Sequence, residues 1–173
     1  MSASLGRRIR AGVIDLGLAL AWAAVVVGAG FGLRSAGLLT LAPLALNLIG
    51  GTLIVVPIVL FFSLAEGGRY EASPGKQWSG LRVRRLDGRP LGRPRALLRN
   101  FVKLAIPAVL AHAAALMLLT GQTGTDVLLL TAIALSLPLS YLLLVCFGER
   151  RGPWDLLCDA EVLEIAPGRR FAD

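Results

Sequence analysis

Cysteine and histidine are scarce in this chain. Its 173 residues include two cysteines and one histidine. Cys146 and Cys158 are the cysteines, and no histidine lies near them, so they make a poor set of metal ligands. Both fall in or beside segments that the charge pattern assigns to the cytoplasm. We therefore expect reduced thiols, no disulfide and no metal site.

Motifs for catalysis and for nucleotide binding are also absent. A glycine-rich stretch at residues 66–76 lacks the G-x-x-x-x-G-K-[ST] spacing of a phosphate-binding loop and opens onto no predicted helix. No Ser-His-Asp signature occurs. Carboxylates are too few for a familiar cation cage. The sequence therefore predicts a protein that is not an enzyme and has no cofactor.

Four long apolar runs make up most of the sequence, which is 55% hydrophobic with a mean hydropathy of +0.71. A helix needs about 20 such residues to cross the hydrocarbon core of a bilayer. The third run reaches this length if it starts at Phe101, with Lys103 extending to the interface. The pattern predicts an all-α membrane protein, a four-transmembrane-helix bundle in a single domain over residues 1–173. The predicted helices are 9–33, 41–65, 101–120 and 126–147.

Basic residues outnumber acidic ones, giving a net charge of +7. Arg34 alone among the eighteen Lys and Arg falls between the first two or the last two helices. The other seventeen lie in the N-terminus, the loop 66–100, the tail 148–173 or adjoining helix ends. The positive-inside rule makes those segments, and hence both termini, cytoplasmic. A basic inner face suits anionic lipid headgroups, and we expect no nucleic-acid partner.

An aspartate interrupts the first apolar run. Asp15 follows the basic cluster at residues 7–10, and a charge in a membrane helix costs about 2.5–3.5 kcal/mol on insertion scales. Arg8, seven positions earlier, shares its helix face at about 10 Å along the axis. Asp15 could carry a proton or a cation. Alternatively, it could form a structural salt bridge with Arg8, Arg99 or Lys103.

The loop after the second helix contains a strand-like segment. Residues 78–86 alternate in polarity, and Asp87-Gly88 is a strong hairpin-turn signal. Tail residues 161–165 also alternate and could add a third strand. We expect a small cytoplasmic β-hairpin element at the inner mouth of the bundle. Residues 93–103 predict an interfacial helix whose basic side chains face the lipid headgroups.

Three segments carry further landmarks. They are RRIRAGVID at residues 7–15, GKQWSGLRVRRLDGRPLGRPRALLRN at 75–100 and RRGPWDLLCDAEVLEI at 150–165. In this order they resemble the RDD family of small bacterial membrane proteins, named for one arginine before the first helix and two aspartates. The resemblance places these residues at Arg8, Asp15 and Asp155. It implies a multi-pass protein of the bacterial cytoplasmic (inner) membrane.

The resemblance has two departures. Trp154 replaces the histidine that usually precedes the last aspartate, and Ala160-Glu161 replaces a small Gly-Thr step. If that histidine relays protons elsewhere in the family, this chain has lost the step or moved it.

Other polar residues are secondary candidates. His112 could relay protons or hydrogen-bond a carbonyl across a helix interface. Asn47 adds a further polar group within the membrane. Asp155 could accept hydrogen bonds from Arg8, Arg99 or the glycine–lysine turn at 75–76, tying the tail to the bundle.

Two functions remain open from the sequence. The resemblance implies transport, such as cation/proton exchange by a homo-oligomer in which Asp15 carries the ion and Arg8 tunes its charge. The alternative is a non-catalytic accessory or scaffold subunit of a larger membrane complex, with Arg8, Asp15 and Asp155 as a structural clasp. A hydrated cavity reaching Asp15 would favour transport. Full pairing of Asp15 with basic residues, and an apolar flank buried against another protein, would favour the scaffold.

Overall fold

The computed structural model describes residues 3–40, 43–119, 121–147 and 151–165. These residues are mostly helical. The helices are α1 (Leu5–Ser35), α2 (Pro43–Gly67), α3 (Pro74–Trp78), α4 (Arg93–Asn100), α5 (Ile106–Leu119), α6 (Thr125–Phe147) and α7 (Pro153–Leu157). A π-helical turn, Phe101–Ala105, joins α4 to α5. The strands are β1 (Leu81–Arg85) and β2 (Ala160–Glu164).

Three helical stretches of the described residues are long and apolar enough to cross a membrane. They are Leu5–Ser35, Ala45–Gly67 and Arg93–Ala114. Many of their large apolar side chains are exposed, as expected where helices face lipid rather than water. α6 is a fourth apolar helix, but its qualifying part, Thr125–Tyr141, is shorter. The protein is thus a helical membrane protein, and a fourth crossing stays a prediction.

α1 is longer than the hydrocarbon core of a bilayer. Its 31 residues extend for roughly 46 Å, against a core of about 30 Å. With Arg34 at the interface, the twenty residues up to Leu33 cross the core. Asp15 then lies near the opposite boundary of the core rather than at its middle, and the first turns of α1 project beyond the lipid tails.

The two strands come from distant parts of the chain. β1 pairs antiparallel with β2, in a register that sets Leu81 opposite Glu164 and Arg85 opposite Ala160. This corrects the predicted hairpin. The turn at 87–88 forms, but it leads only to an isolated bridge between Arg84 and Pro90, because a proline has no N–H to extend a ladder. The tail segment is the partner of β1, not a third strand.

A small apolar core unites the N-terminus, the loop and the tail. Its buried members are Ala3, Ala11, Leu81, Val83, Leu91, Ala96, Cys158, Ala160 and Val162. These residues come from α1, β1, α4, β2 and the segments between them. We call this unit the cap. It packs against one end of α1 and α2, so the end of the molecule that bears Arg34 is the far end.

α4 differs from the predicted interfacial helix. Arg99 is only 1% exposed and points into the protein, whereas the sequence pattern placed its charge among headgroups. The reason is that Arg99 forms ion pairs with two buried carboxylates, those of Glu66 and Asp155. The π-helical turn that follows α4 inserts an extra residue per turn, a feature often found near functional sites.

Candidate functional site

A buried group of five charged side chains lies where the cap meets the helices. Its members are Asp15, Glu66, Lys76, Arg99 and Asp155, all under 9% exposed. We call it the ionic cluster. α1 supplies the first, the last turn of α2 the second, and α3, α4 and α7 the others. The five charges of the ionic cluster therefore come from five different helices.

Glu66 is the hub of the ionic cluster. One of its oxygens accepts a bond of 2.7 Å from the Lys76 Nζ. The other accepts a bond of 2.5 Å from Arg99 Nη1 and a bond of 3.0 Å from Asn100 Nδ2. This carboxylate is 1% exposed. Such burial is tolerable because each oxygen has a cationic donor.

Asp15 binds the turn that opens α3. Its carboxylate accepts hydrogen bonds from the Ser73 hydroxyl at 2.5 Å and from the Gly75 backbone N–H at 2.8 Å. Lys76 Nζ lies 3.7 Å from the same carboxylate. A carboxylate held by a backbone amide, a hydroxyl and an ammonium has its charge compensated without water. Lys76 thereby bridges Asp15 to Glu66.

Glycine at position 75 is required by this close approach. A Cβ there would lie 2.2 Å from the Ala11 carbonyl oxygen and 2.8 Å from Asp15 Oδ1. The backbone of α3 therefore rests directly on α1. No side chain fits between the two segments.

Arg99 joins the tail to the cluster. Its Nε donates to Asp155 Oδ1 at 2.7 Å, while its Nη1 reaches Glu66. Asp155 Oδ2 accepts a bond of 2.9 Å from the Gly152 N–H, which caps α7. One guanidinium thus holds two carboxylates that are far apart in sequence, a task suited to its rigid fork of donors.

The cluster has one further cation beside it. Lys103, on the π-helical turn, interacts electrostatically with Glu66, Asp15, Lys76 and Arg99. In the described part of the chain its ammonium has no hydrogen bond. With Lys103 counted, three formal positive charges face three formal negative charges, so the whole group is formally neutral.

Arg8 takes a different place from the one expected. Its Nη2 donates to the Val162 carbonyl at 2.9 Å and its Nε to the Ala3 carbonyl at 3.3 Å. It ties α1 to β2, whereas Asp15 makes its polar contacts with residues 73–76. Although Arg8 and Asp15 share a helix face, these hydrogen bonds attach the two side chains to different parts of the cap.

The chain's start is fastened to the same strand. Ser4 donates its N–H to Glu164 at 2.8 Å, and Arg7 forms an ion pair with Glu164 at 3.3 Å. The Ser4 hydrogen bond holds the pKa of Glu164 below its ordinary value. The N-terminal residues 3–8 and the strand β2 thus act as one edge of the cap.

His112 and Asn47 lie away from the ionic cluster. Both line an apolar groove between α1 and α2 toward the far end, with His112 contributed by α5. A Cβ at Gly51 would meet the His112 ring at 3.5 Å, so that ring packs on the glycine. The sequence candidates therefore divide between two places: Asp15, Arg99, Asp155 and Lys103 near the cap, and this pair in the groove.

Sequence reasoning missed three members of the cluster's hydrogen-bond network. Glu66 was placed at the start of a loop, Lys76 was assigned to a glycine–lysine turn, and Ser73 was not singled out. The available signal was the spacing of charges. An acid at the inner end of an apolar helix, followed by a glycine–lysine pair, predicts an ion pair at that helix end. Asn100 donates to the same acid from the arginine–asparagine landmark.

Trp154, which stands where the family pattern has histidine, packs on an aromatic neighbour. Its ring centroid is 4.4 Å from that of Tyr141, and Trp154 is 4% exposed. This contact fastens α7 to α6 beside Asp155. The indole N–H donates hydrogen bonds but does not titrate near neutral pH, so Trp154 contributes packing and not proton relay.

The cluster's chemistry is that of paired charges rather than of a metal centre. Among the described residues no group of three or more His, Cys, Asp or Glu could hold a metal ion. Two cavities among the described residues are lined mainly by α1 and α2. The second reaches Leu18 and Ala19, one turn from Asp15, but neither lining includes Asp15 itself. The cavity at Asp15 that would favour transport is therefore not one of these two.

Cys158 offers a test of how firmly the tail is docked. It is 3% exposed, its Sγ lies 3.5 Å from the Arg95 carbonyl, and burial raises the pKa of its thiol. Because the thiolate is the reactive form, we expect iodoacetamide at pH 8 to modify it about tenfold more slowly in folded than in SDS-unfolded protein. The measurement uses mass spectrometry on a Cys146→Ala background.

The matched control carries its single thiol one position before Cys158, at the last residue of α7. Leu157 is 59% exposed, so Leu157→Cys in a variant lacking both natural cysteines should react rapidly when folded. Equal rates for Cys158 in folded and unfolded protein would show that the tail does not stay docked on α4.

Comparison with known proteins gives one match. The model of the RDD family matches residues 2–159, which is nearly the whole chain. No curated protein and no solved structure matches. The matched range contains every member of the ionic cluster and most of the cap.

Proposed function

The chain belongs to the RDD family, and from that premise we propose that it is a non-enzymatic accessory or scaffold subunit of a larger complex in the bacterial cytoplasmic membrane. In this proposal it crosses the membrane four times with both termini in the cytoplasm. The ionic cluster is a clasp that fixes the cap on the membrane helices. The cap then presents a basic surface to partner proteins and anionic headgroups.

The observation that carries the proposal is the complete pairing of Asp15. A carboxylate that shuttles ions must exchange partners with water, but Asp15 is 8% exposed and is held by Ser73, Gly75 and Lys76. Removing one partner from such a group is costly, since the remaining charge is left buried. Its contacts suit a permanent fastening.

The surface of the cap supports a docking role. Arg69, Arg89 and Arg93 are exposed around the cluster, whereas Arg99 is buried within it. Each exposed Lys or Arg near an anionic membrane surface contributes about 1 kcal/mol of attraction. A rigid cap bearing such residues gives a partner or a lipid surface a fixed target.

A second candidate is cation/proton exchange, and one observation favours it. Lys103 has no hydrogen bond among the described residues although it lies near Glu66 and Asp15, and the buried Asn100 Oδ1 also has no partner. An ammonium without fixed partners beside two acids could replace Lys76 or Arg99 during a transport cycle. A homo-oligomer would then be needed to enclose a path.

Asp15→Asn separates the two candidates. As a clasp residue, Asp15 loses its charge but keeps an oxygen for the Gly75 N–H, so we expect a loss of about 1–3 kcal/mol in the free energy of unfolding. Wild-type proteoliposomes should show no pH change driven by sodium, potassium or lithium gradients. In native membranes the variant should give a lower yield of the assembly that contains this chain.

The control is Asp126→Asn, because Asp126 is exposed at the start of α6. It should leave both stability and complex yield unchanged. The scaffold proposal fails if wild-type protein carries a cation-driven proton flux that a well-folded Asp15→Asn variant lacks.

A further inference from the structure

A groove between α1 and α2 lies outside the cap, toward the end that bears Arg34. It has a volume of about 610 Å³ and is lined almost wholly by apolar side chains of α1 and α2. Volumes of about 300–1,000 Å³ with apolar walls and a few polar groups are typical of sites for small molecules. Because α1 and α2, which form its walls, are apolar enough to cross a membrane, the molecules beside the groove are those of the bilayer.

The groove has two distinct ends. Trp22 lies at the end nearer the cap, where its Nε1 donates to the Leu53 carbonyl at 2.9 Å and joins α1 to α2. Arg34 lines the other end, in the last turn of α1. Twelve residues separate them, about 18 Å along the helix. That length is close to one leaflet, half of a core of about 30 Å.

The positive charge of Arg34 at one end of the groove favours an anionic occupant. The Arg34 guanidinium has no hydrogen bond or ion pair within the described residues. Among the described residues that line the groove it is the one Lys or Arg, and His112 is the other titratable side chain. Guanidinium groups bind phosphate through paired N–H donors. Asn47, one turn into α2, is a polar residue in the same lining.

We propose that this groove binds one anionic phospholipid of the far leaflet. Its phosphate meets Arg34, and one acyl chain runs along the groove to Trp22. The inference is independent of the clasp, since none of these residues belongs to the ionic cluster. It identifies a specific lipid site on the face opposite to the basic cap.

Lipid selectivity tests the charged end. Purified protein is placed in vesicles of acyl-brominated phosphatidylcholine, and bromine quenching of Trp22 is followed as unbrominated phosphatidylglycerol is added, with Trp22→Phe as the blank. We expect phosphatidylglycerol to displace the quencher about fivefold more effectively than phosphatidylcholine does. Arg34→Gln should remove this preference and Arg34→Lys should retain part of it. Arg10→Gln, an exposed arginine near the cap, should not change it.

Substitutions that fill the groove test whether a lipid acyl chain lies in it. Gly30 lines the groove and Gly28 does not, and a Cβ at either position meets nothing within 4 Å. Gly30→Leu should therefore lower the quenching of Trp22, while Gly28→Leu should leave it unchanged. Equal effects of the two substitutions, or equal affinities for the two lipids in the wild type, would overturn the proposal. The proposal would also be overturned if the wild-type protein proved dimeric and Gly30→Leu made it monomeric, since the groove would then hold a second copy of the chain.

Discussion

Arg99→Met is expected to lower the free energy of unfolding by about 3–5 kcal/mol, the cost of breaking a buried charge pair by removing one partner. Arg99 is the shared donor of Glu66 and Asp155, so its loss leaves Asp155 buried without its cation and Glu66 with Lys76 alone. Methionine fills a similar volume, which separates the charge effect from packing. Unfolding in mixed micelles, followed by tryptophan fluorescence, measures the change.

Two companion variants make the result specific. Arg93 is exposed on the same helix, and Arg93→Met should change stability by no more than about 0.5 kcal/mol. Adding Glu66→Gln and Asp155→Asn to the Arg99→Met variant should recover part of the lost free energy of unfolding, because burying an uncharged group costs less than burying a charge. A small effect of Arg99→Met alone would mean that the cluster does not hold the cap.

Gly75→Ala is expected to cost about 3 kcal/mol or more, although it adds one methyl group. The new Cβ would overlap the Ala11 carbonyl oxygen, at 2.2 Å. Separating α3 from α1 relieves this overlap but breaks the bond from the Gly75 N–H to Asp15. The expected loss combines overpacking of about 1–3 kcal/mol with a charged hydrogen bond of about 1.5–3 kcal/mol.

The control for that substitution is Gly12→Ala on α1, where a Cβ meets nothing within 4 Å. Because alanine is the better helix former, Gly12→Ala should be neutral or stabilise the protein by up to about 1 kcal/mol. If both substitutions have the same small effect, α3 does not rest on α1 as described.

Each apolar run is a local property of the chain, and three of the four coincide with helical stretches long enough to cross a membrane. α1, Leu5–Ser35, extends beyond the predicted 9–33 at both ends, and α2 ends at Gly67 rather than at 65. Hydropathy marks the lipid-facing part of a helix, whereas backbone hydrogen bonds continue past it into the cap. The family resemblance is confirmed, and it also placed the main landmarks.

The partners in the ionic cluster were harder to predict. Asp15 and Asp155 were recognised as sites, and Arg99 was named among their partners, because a charge beside an apolar run needs compensation. Which cation serves which acid depends on how α3, α4 and α7 are placed, and no local pattern encodes that placement. Arg8 was matched to Asp15 by helical periodicity, but the strand β2 offers it a carbonyl instead.

β1 was assigned to a hairpin for a similar reason. The turn signal at Asp87-Gly88 is local and strong, and the turn does form. Pairing, however, is decided by which segment buries its apolar face, and the tail places Ala160 and Val162 against the cap's core. A sequence separation of nearly eighty residues hides that choice from any short window.

The long-range contacts of Asp15 set an order of events during synthesis. The first helix enters the membrane carrying an acid whose backbone partner, Gly75, is 60 residues further along the chain. At a synthesis rate of 5–20 residues per second, that partner emerges about 3–12 s later. Asp155 is synthesised 56 residues after its partner Arg99, and the carbonyl that binds Arg8 is synthesised 154 residues after Arg8. The nascent chain therefore holds Asp15 at the membrane boundary before its partners exist, and Arg8 gains its bond to β2 only after Val162 has been made.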